Sequence, residues 1–313
     1  MNNCSIDQVN SIFEQPWWLD AVAPGQWDVA EVIRDGQVIA RLPYVKNRRL
    51  GFNIIGMPSY TQTLGCWVYN TGAKNARKYT REKELIWELI KQIPSKYNVD
   101  IELDHFCDYL FPFKWNGFKT ELRYSYRLEN IYNIDQLWGG LADNIRREIK
   151  KAQKKLIVED NHSIDDLILM QDKTFKRQGR RNRNDSKVLR RVNEALKENN
   201  AGKLLCAVDD EGRLHAASLF IYDDNCCYYL VGGADPVLRN SGASSLLMWE
   251  GIKFASTVSR SFDFEGSMIE PIERFFRAFG GVPTPYWRVT KFNLPLSIAE
   301  YLKPKVKKFI GWK

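Results

Sequence analysis

Two stretches of this chain, 176 residues apart, follow the same pattern. Val32-Ile33-Arg34-Asp35-Gly36-Gln37-Val38-Ile39-Ala40 parallels Val208-Asp209-Asp210-Glu211-Gly212-Arg213-Leu214-His215-Ala216. In each, apolar residues flank an acid-Gly pair, the signature of two strands joined by a tight turn. Further on, Ile101-Glu102-Leu103-Asp104 and Phe113 to Gly117 parallel Phe262-Asp263-Phe264-Glu265 and Phe276 to Gly280, now 161–163 residues apart. The drift in offset marks diverged copies with insertions. Each half reads hairpin, strand, helix, strand, helix, strand. A chain of 313 residues built this way is an α/β protein of two domains, expected at 1–130 and 131–296.

Individual elements follow from local pattern. Ile12 to Ala23 reads as one helix with Trp17, Trp18 and Val22 on its apolar side. Leu85, Ile86, Leu89, Ile90 and Ile93 are spaced as a helix face over Thr80 to Ile93, and Pro94 ends it. Ile145, Ile149 and Ala152 make the apolar side of another helix, Asp143 to Lys155. Cys226 to Val231 and Phe262 to Glu265 read as strands, and Ala243 to Ala255 as the helix between them.

Composition excludes several classes. Hydrophobic residues make 44% and charged residues 27%, which is ordinary for a globular chain and not for a disordered or fibrous one. No apolar run reaches the ~18–20 residues that span a bilayer, and Met1 to Asp7 has no secretory pattern, so a cytoplasmic protein is expected. Six cysteines without a C-x-x-C pair read as free thiols. His105, His162 and His215 lack ligand spacing, so no metal site is expected. The formal charge is +8, and Lys173 to Arg191 alone carries nine basic residues against Asp185. Arg146 to Lys155 and the tail after Glu300 are basic as well. Clusters of this kind favour a polyanionic partner.

Taken together, the order of elements resembles the GNAT acyltransferase fold. Arg239-Asn240-Ser241-Gly242-Ala243-Ser244, after a strand and before a helix, is similar to that family's R/Q-x-x-G-x-G/A turn, with Ser in the last position. Thr61-Gln62-Thr63-Leu64-Gly65 stands at the equivalent place of the first half. Arg146 to Ala152, Phe262 to Ser267 and Phe275 to Gly281 extend the resemblance to FemABX-like (FemAB-like) aminoacyltransferases and acetyltransferases, which are tandem GNAT proteins. The resemblance implies two GNAT-like domains with mixed sheets and a terminal helix, 297–313, packing back on the first. No sustained heptads are present, so no coiled-coil arm is expected.

The resemblance also implies a site. Gly233, Arg239, Ser241, Gly242, Ala243 and Ser244 would hold the pyrophosphate of an acyl donor through backbone N–H groups and a helix N-terminus. Glu265, at the C-terminal end of a strand, is the expected general base, and Gly266 would let substrate approach the backbone. Asp263 on the same face would raise its pKa. Asp104 is the counterpart in the first half, orienting an acceptor. A competing reading has Glu265, Ser267 and Glu270 capping the next helix. Lys150, Lys176, Arg177, Arg180 and Arg181 would bind anionic groups of donor or acceptor. Tyr228, Tyr229 and Trp249 read as core.

The expected activity is transfer of an acyl or aminoacyl group to an amine or hydroxyl of a cell-wall or glycan precursor. The co-substrate is acyl-CoA or aminoacyl-tRNA, with no tightly bound cofactor. Partners are an anionic small-molecule or nucleotide-linked substrate, with tRNA and the membrane surface as further candidates. DNA has no support, and the oligomeric state is open. The competing reading is a non-catalytic nucleic-acid- or membrane-surface-binding protein on a degenerate GNAT scaffold.

Overall fold

The structure, a computed structural model, describes residues 5–49, 51–177, 179, 185–266, 268–293 and 295–297. Arg180, Arg181, Ser267 and the expected terminal helix beyond Ser297 lie outside the described residues.

Local chemistry explains how the chain begins. A 3-10 turn, Ile12–Glu14, gives way to α1 (Pro16–Val22). Pro16 starts a helix readily but cannot continue one, so the single helix expected over 12–23 is two pieces. The hairpin of β1 (Trp27–Arg34) and β2 (Gln37–Arg49) is where it was expected. Asp35 and Gly36 have φ of 51° and 76°, the left-handed pair that joins twisted strands in two residues. There follow β3 (Phe52–Gly56), β4 (Trp67–Val68), α2 (Asn75–Gln92), β5 (Asn98–Leu103), α3 (Phe111–Trp115) and β6 (Lys119–Glu129). The later elements are α4 (Ile134–Gly140), α5 (Asp143–Ala152), β7 (Leu156–Glu159), α6 (Ile164–Arg177), α7 (Ser186–Glu198), β8 (Gly202–Asp209), β9 (Leu214–Tyr222) and β10 (Cys226–Ala234). Then come α8 (Ala243–Val258), β11 (Ser261–Asp263), α9 (Glu270–Ala278) and β12 (Val282–Lys291).

The chain forms two compact units. The amino-terminal unit takes Ile6–Glu14, Ala23–Leu122 and the chain from Tyr286. Its sheet runs β1-β2-β3-β5-β12, with β3 and β5 parallel and the other neighbours antiparallel. Leu85, Ile86, Leu89 and Ile90 of α2 share one core with Val32, Leu42, Ile101 and Val289. The carboxy-terminal unit takes Gln15–Val22 and Arg123–Pro285. Its sheet runs β7-β8-β9-β10-β11-β6, with β10 and β11 parallel. Phe220, Phe262, Phe264, Phe276 and Trp249 anchor its core.

Both sheets use one plan: hairpin, third strand, crossover helix, then a strand parallel to the third. The exception is the closing strand. β6 follows the first copy in the chain but pairs with β11, Phe262 opposite Leu128. β12 follows the second copy but pairs with β5, Val289 opposite Ile101.

The amino-terminal unit contains a buried acid. Glu14 Oε1 accepts the Gly65 N–H at 3.0 Å and Oε2 accepts the Asn10 N–H at 3.2 Å. Burial, and then the charge of Asp104, push its carboxyl up to about 8. A carboxyl raised in the fold binds its proton more tightly folded than unfolded, so stability is full below the unfolded value of 4.5 and falls as pH rises toward 8. The thermal midpoint of the parent is expected to drop between pH 5 and 8, whereas Glu14→Gln, lower at pH 5, should give a flatter profile. Equal slopes by calorimetry would show that Glu14 is ionised in the fold.

Candidate active site

β10 and β11 pair over three positions only, from Cys226 opposite Ser261 to Tyr228 opposite Asp263. β10 then continues to Ala234, past the Val231 expected as its end, while β11 stops. Against β9 the register slips by one residue between Tyr229 and Val231, a bulge that bends β10 as it leaves β11. The strands part, and a cavity of about 670 Å³ occupies this region, with Tyr229, Gly232, Arg239, Ser244 and Glu265 in its wall.

Asp263 explains why β11 ends. Its carboxylate accepts from the Arg127 guanidinium at 3.1 Å, from the Ser125 hydroxyl, and from the Glu265 N–H at 2.7 Å. Arg127 and Asp263 have side chains 6% and 4% exposed, so this is a buried ion pair. The bond to its own chain two residues on curls the backbone out of the strand, and Glu265 takes φ 51°. Gly266 follows, donating its N–H to Ser125 at 3.0 Å. A Cβ there would meet Ser125 Cα at 2.3 Å, so the missing side chain admits β6 rather than substrate.

Glu265 is thereby turned into the cavity wall. Its Oε1 is buried without a hydrogen-bond partner. Burial first, and the charge of Asp263 second, hold its carboxyl well above the usual carboxylate range. Glu265 lies outside α9, which has Ile269 at its N-cap without a side-chain capping bond, while Glu270 stands in the first turn, where its charge suits the helix dipole. Asp263 is not among the lining residues, and its oxygens serve the ion pair and the turn.

The turn before α8 is built for close approach. Arg239–Ser241 makes one 3-10 turn, and Gly242, with φ 81°, is the N-cap of α8 and has no side chain to cap it, while the Ser241 hydroxyl accepts the Ala243 N–H at 3.4 Å. A Cβ on Gly242 would meet the Glu148 carbonyl at 2.9 Å. Ser245 donates to Glu148 at 2.8 Å, and Lys151 donates to the Asn240 carbonyl at 3.0 Å. The basic helix α5 therefore clamps the turn. Arg239, Ser241, Ala243 and Ser244 all line the cavity, so the first N–H groups and positive dipole end of α8 lie at its wall.

Other expected residues fall differently. Gly233 lines the cavity, but a Cβ there would meet Gln171 N of α6 at 2.4 Å, which makes packing its first reason. Arg177 lines the cavity. Lys176 and Lys150 are exposed and not among the lining residues, and Lys150 sits over the Trp138 ring. Part of the basic stretch serves structure: Lys173 pairs with Asp235 at 2.6 Å, Arg190 with Asp165 at 2.7 Å, and Arg191 donates to the Ala21 carbonyl at 2.9 Å. Asp104 belongs to the amino-terminal unit, where Thr63 donates to it at 3.2 Å and the Phe106 N–H at 3.0 Å.

Two lining residues escaped the sequence reading. Tyr229, read as core, has burial pushing its phenol up to about 12 against a bond from Ser218, so it stays a donor at neutral pH. His215 is buried and lies 3.0 Å through Nε2 from Asp209 Oδ2, while Nδ1 has no partner. That bond, together with Arg213, holds Asp209 below the usual carboxylate range. With Nε2–H donating, the lone pair sits on Nδ1. The signal was present as an acid and a histidine six residues apart across a hairpin.

Residues 141–268 match the family model described as the acetyltransferase (GNAT) domain. The chain is similar in structure to FemX at 16% identity, over 91% of this chain and 93% of that one, with a TM-score of 0.65. It is also similar to the C-terminal domain (DUF2156) of a putative lysylphosphatidylglycerol synthetase from Agrobacterium fabrum, at 11% identity over 88% of each chain and a TM-score of 0.56. L-PGS from Bacillus licheniformis is 11% identical over 88% of each chain, with a TM-score of 0.50. Such identities carry the fold. No curated protein matches the chain in sequence.

The two neighbouring acids should respond oppositely to loss of charge. Asp263→Asn removes the buried counter-charge of Arg127, leaving it only the exposed Glu129 at 2.9 Å, and should cost about 3 kcal/mol. Glu265→Gln removes a carboxyl that resists ionisation and should leave stability unchanged at pH 5 and raise it at pH 8. Urea unfolding at both pH values measures this, and equal losses for the two variants would contradict these roles.

Proposed function

We propose that this chain, an acyltransferase with a GNAT domain in a FemX-like fold, transfers an acyl or aminoacyl group from a phosphate-bearing donor to an amine or hydroxyl of a cell-wall or glycan precursor. The observation that carries this reading is that one cavity brings the start of α8, at Ala243 and Ser244, and the buried Glu265 together. Acyl-CoA and aminoacyl-tRNA share the chemistry the turn would accept: phosphate oxygens against backbone N–H groups, with Arg239 and Arg177 as cations. One neighbour in fold is named for lysylphosphatidylglycerol, which favours aminoacyl transfer as one form of the reaction.

The chemistry follows from the wall. Beyond Tyr228 the edge of β10 no longer pairs with β11, so its N–H groups can face a donor carbonyl and take up the charge that develops on oxygen. Glu265 accepts the proton as the acceptor nitrogen or oxygen attacks that carbon. The bond to the donor's sulfur or oxygen breaks, and Tyr229, in the same wall, would protonate the leaving atom. His215, held by Asp209, is a second proton acceptor in the same wall. Lys150 and Lys176 contribute charge from outside it.

A thermal-shift and calorimetric panel with CoA, an aminoacylated tRNA and a UDP-linked peptide tests the reading. Saturable binding of at least one donor, weakened by Gly242→Val, is expected, and no response to any of them would overturn it. With the responding donor, Glu265→Gln should lose at least ~10²-fold in rate. The base works ionised, so the rate should fall as pH drops through its raised value, above the usual carboxylate range. An acid limb that persists in Glu265→Gln would assign the proton to another group.

A further inference from the structure

The amino-terminal unit carries an aromatic ladder on its surface that the reaction above does not use. Tyr79 of α2 stacks on Tyr109 with centroids 5.0 Å apart. Tyr109 meets Phe111 edge-on at 5.6 Å, and Phe111 stacks on Trp115 at 5.4 Å. Phe111 and Trp115 are the outer rungs, 52% and 53% exposed, one turn apart on α3. Apolar rings this exposed and this contiguous are uncommon on a protein that meets only water. Cations border the ladder. Lys78 lies 5.3 Å from the Tyr79 centroid, and Lys114 is exposed between the two outer rings in sequence. Lys74, Arg77, Lys78 and Arg81 precede the first acid of α2, Glu82, which pairs with Lys78 at 3.7 Å. Asp108 is the one acid between His105 and Phe118.

We propose that this ladder is a docking surface for an anionic phospholipid bilayer. Aromatic rings rimmed by lysine and arginine match the two layers of such a surface, acyl-chain boundary and phosphate headgroups. A glycan platform is less well served. The stacks of Tyr79 on Tyr109 and of Phe111 on Trp115, with planes 29° and 28° apart, already use a face of each ring. The rim cations also have no counterpart on a neutral sugar. Among the described residues no helix is long and apolar enough to cross a membrane. Docking of this kind holds whichever group is transferred, and it would set a lipid-borne acceptor beside the enzyme.

The test is sedimentation of the full chain with vesicles of phosphatidylglycerol and phosphatidylcholine, against vesicles of phosphatidylcholine alone. Binding to the anionic vesicles, weakened by salt, is expected. Phe111→Ser with Trp115→Ser should lower partitioning about tenfold, and so should Lys74→Glu with Arg77→Glu, which leaves every ring in place. Circular dichroism checks that both variants are folded. Failure to sediment would overturn the proposal, as would sedimentation that neither variant reduces. Two other results would do so as well: binding to peptidoglycan fragments in place of vesicles, or self-association that the ring variant abolishes. The donor-binding panel reads the other unit, so either result stands without the other.

Discussion

Asp263 does three things at once. It neutralises Arg127 where neither charge can reach water, it ends β11, and it folds the next two residues back so that Glu265 enters the left-handed region. A buried ion pair contributes little net stability, because desolvation consumes most of the Coulombic gain. Its value here is positional. Without a fixed end to β11 there would be no point at which β10 and β11 part. The cavity, the unpaired edge of β10 and the placement of Glu265 all follow from that point.

The two copies differ in what they do with the loop after their third strand. Between β10 and α8, the turn is held from behind by Glu148 and Lys151, and its front is left to the cavity. Between β3 and α2, the Gly65 N–H is already taken by Glu14, a carboxyl group of the chain itself. A Cβ on Gly65 would meet Asn10, Asp104 and Glu14 within 2.9 Å, so no space is left for a ligand group beside it. The first copy is closed with its own acid, and the second is open toward an acid from elsewhere.

What could be read from the sequence was what is local. The β1–β2 hairpin, the face of α2 and the R-x-x-G-x-S turn need only neighbours within a few residues. The role of Asp263 was hidden because its partners, Arg127 and Ser125, are 136 and 138 residues away. β10 was cut short because Gly232-Gly233 reads as a strand's end, while the packing of α6 on that backbone keeps it extended. Charge was legible as a sum and not as pairs. Lys173 and Arg190 find acids 62 and 25 residues distant, so a stretch that read as a binding surface is partly internal bracing.

The crossed closing strands set the order in which the molecule can be made. The sheet of the amino-terminal unit needs Trp287 to Lys291 against β5, residues that leave the ribosome after the whole carboxy-terminal unit. Until then β5 presents an open edge, with Asp100 still waiting for Arg288. Contacts that span nearly 190 residues are slow to form, and exposed edges invite pairing with other chains. The first copy to be synthesised is thus the last to be completed, and truncation from the C-terminus removes structure from the beginning of the chain.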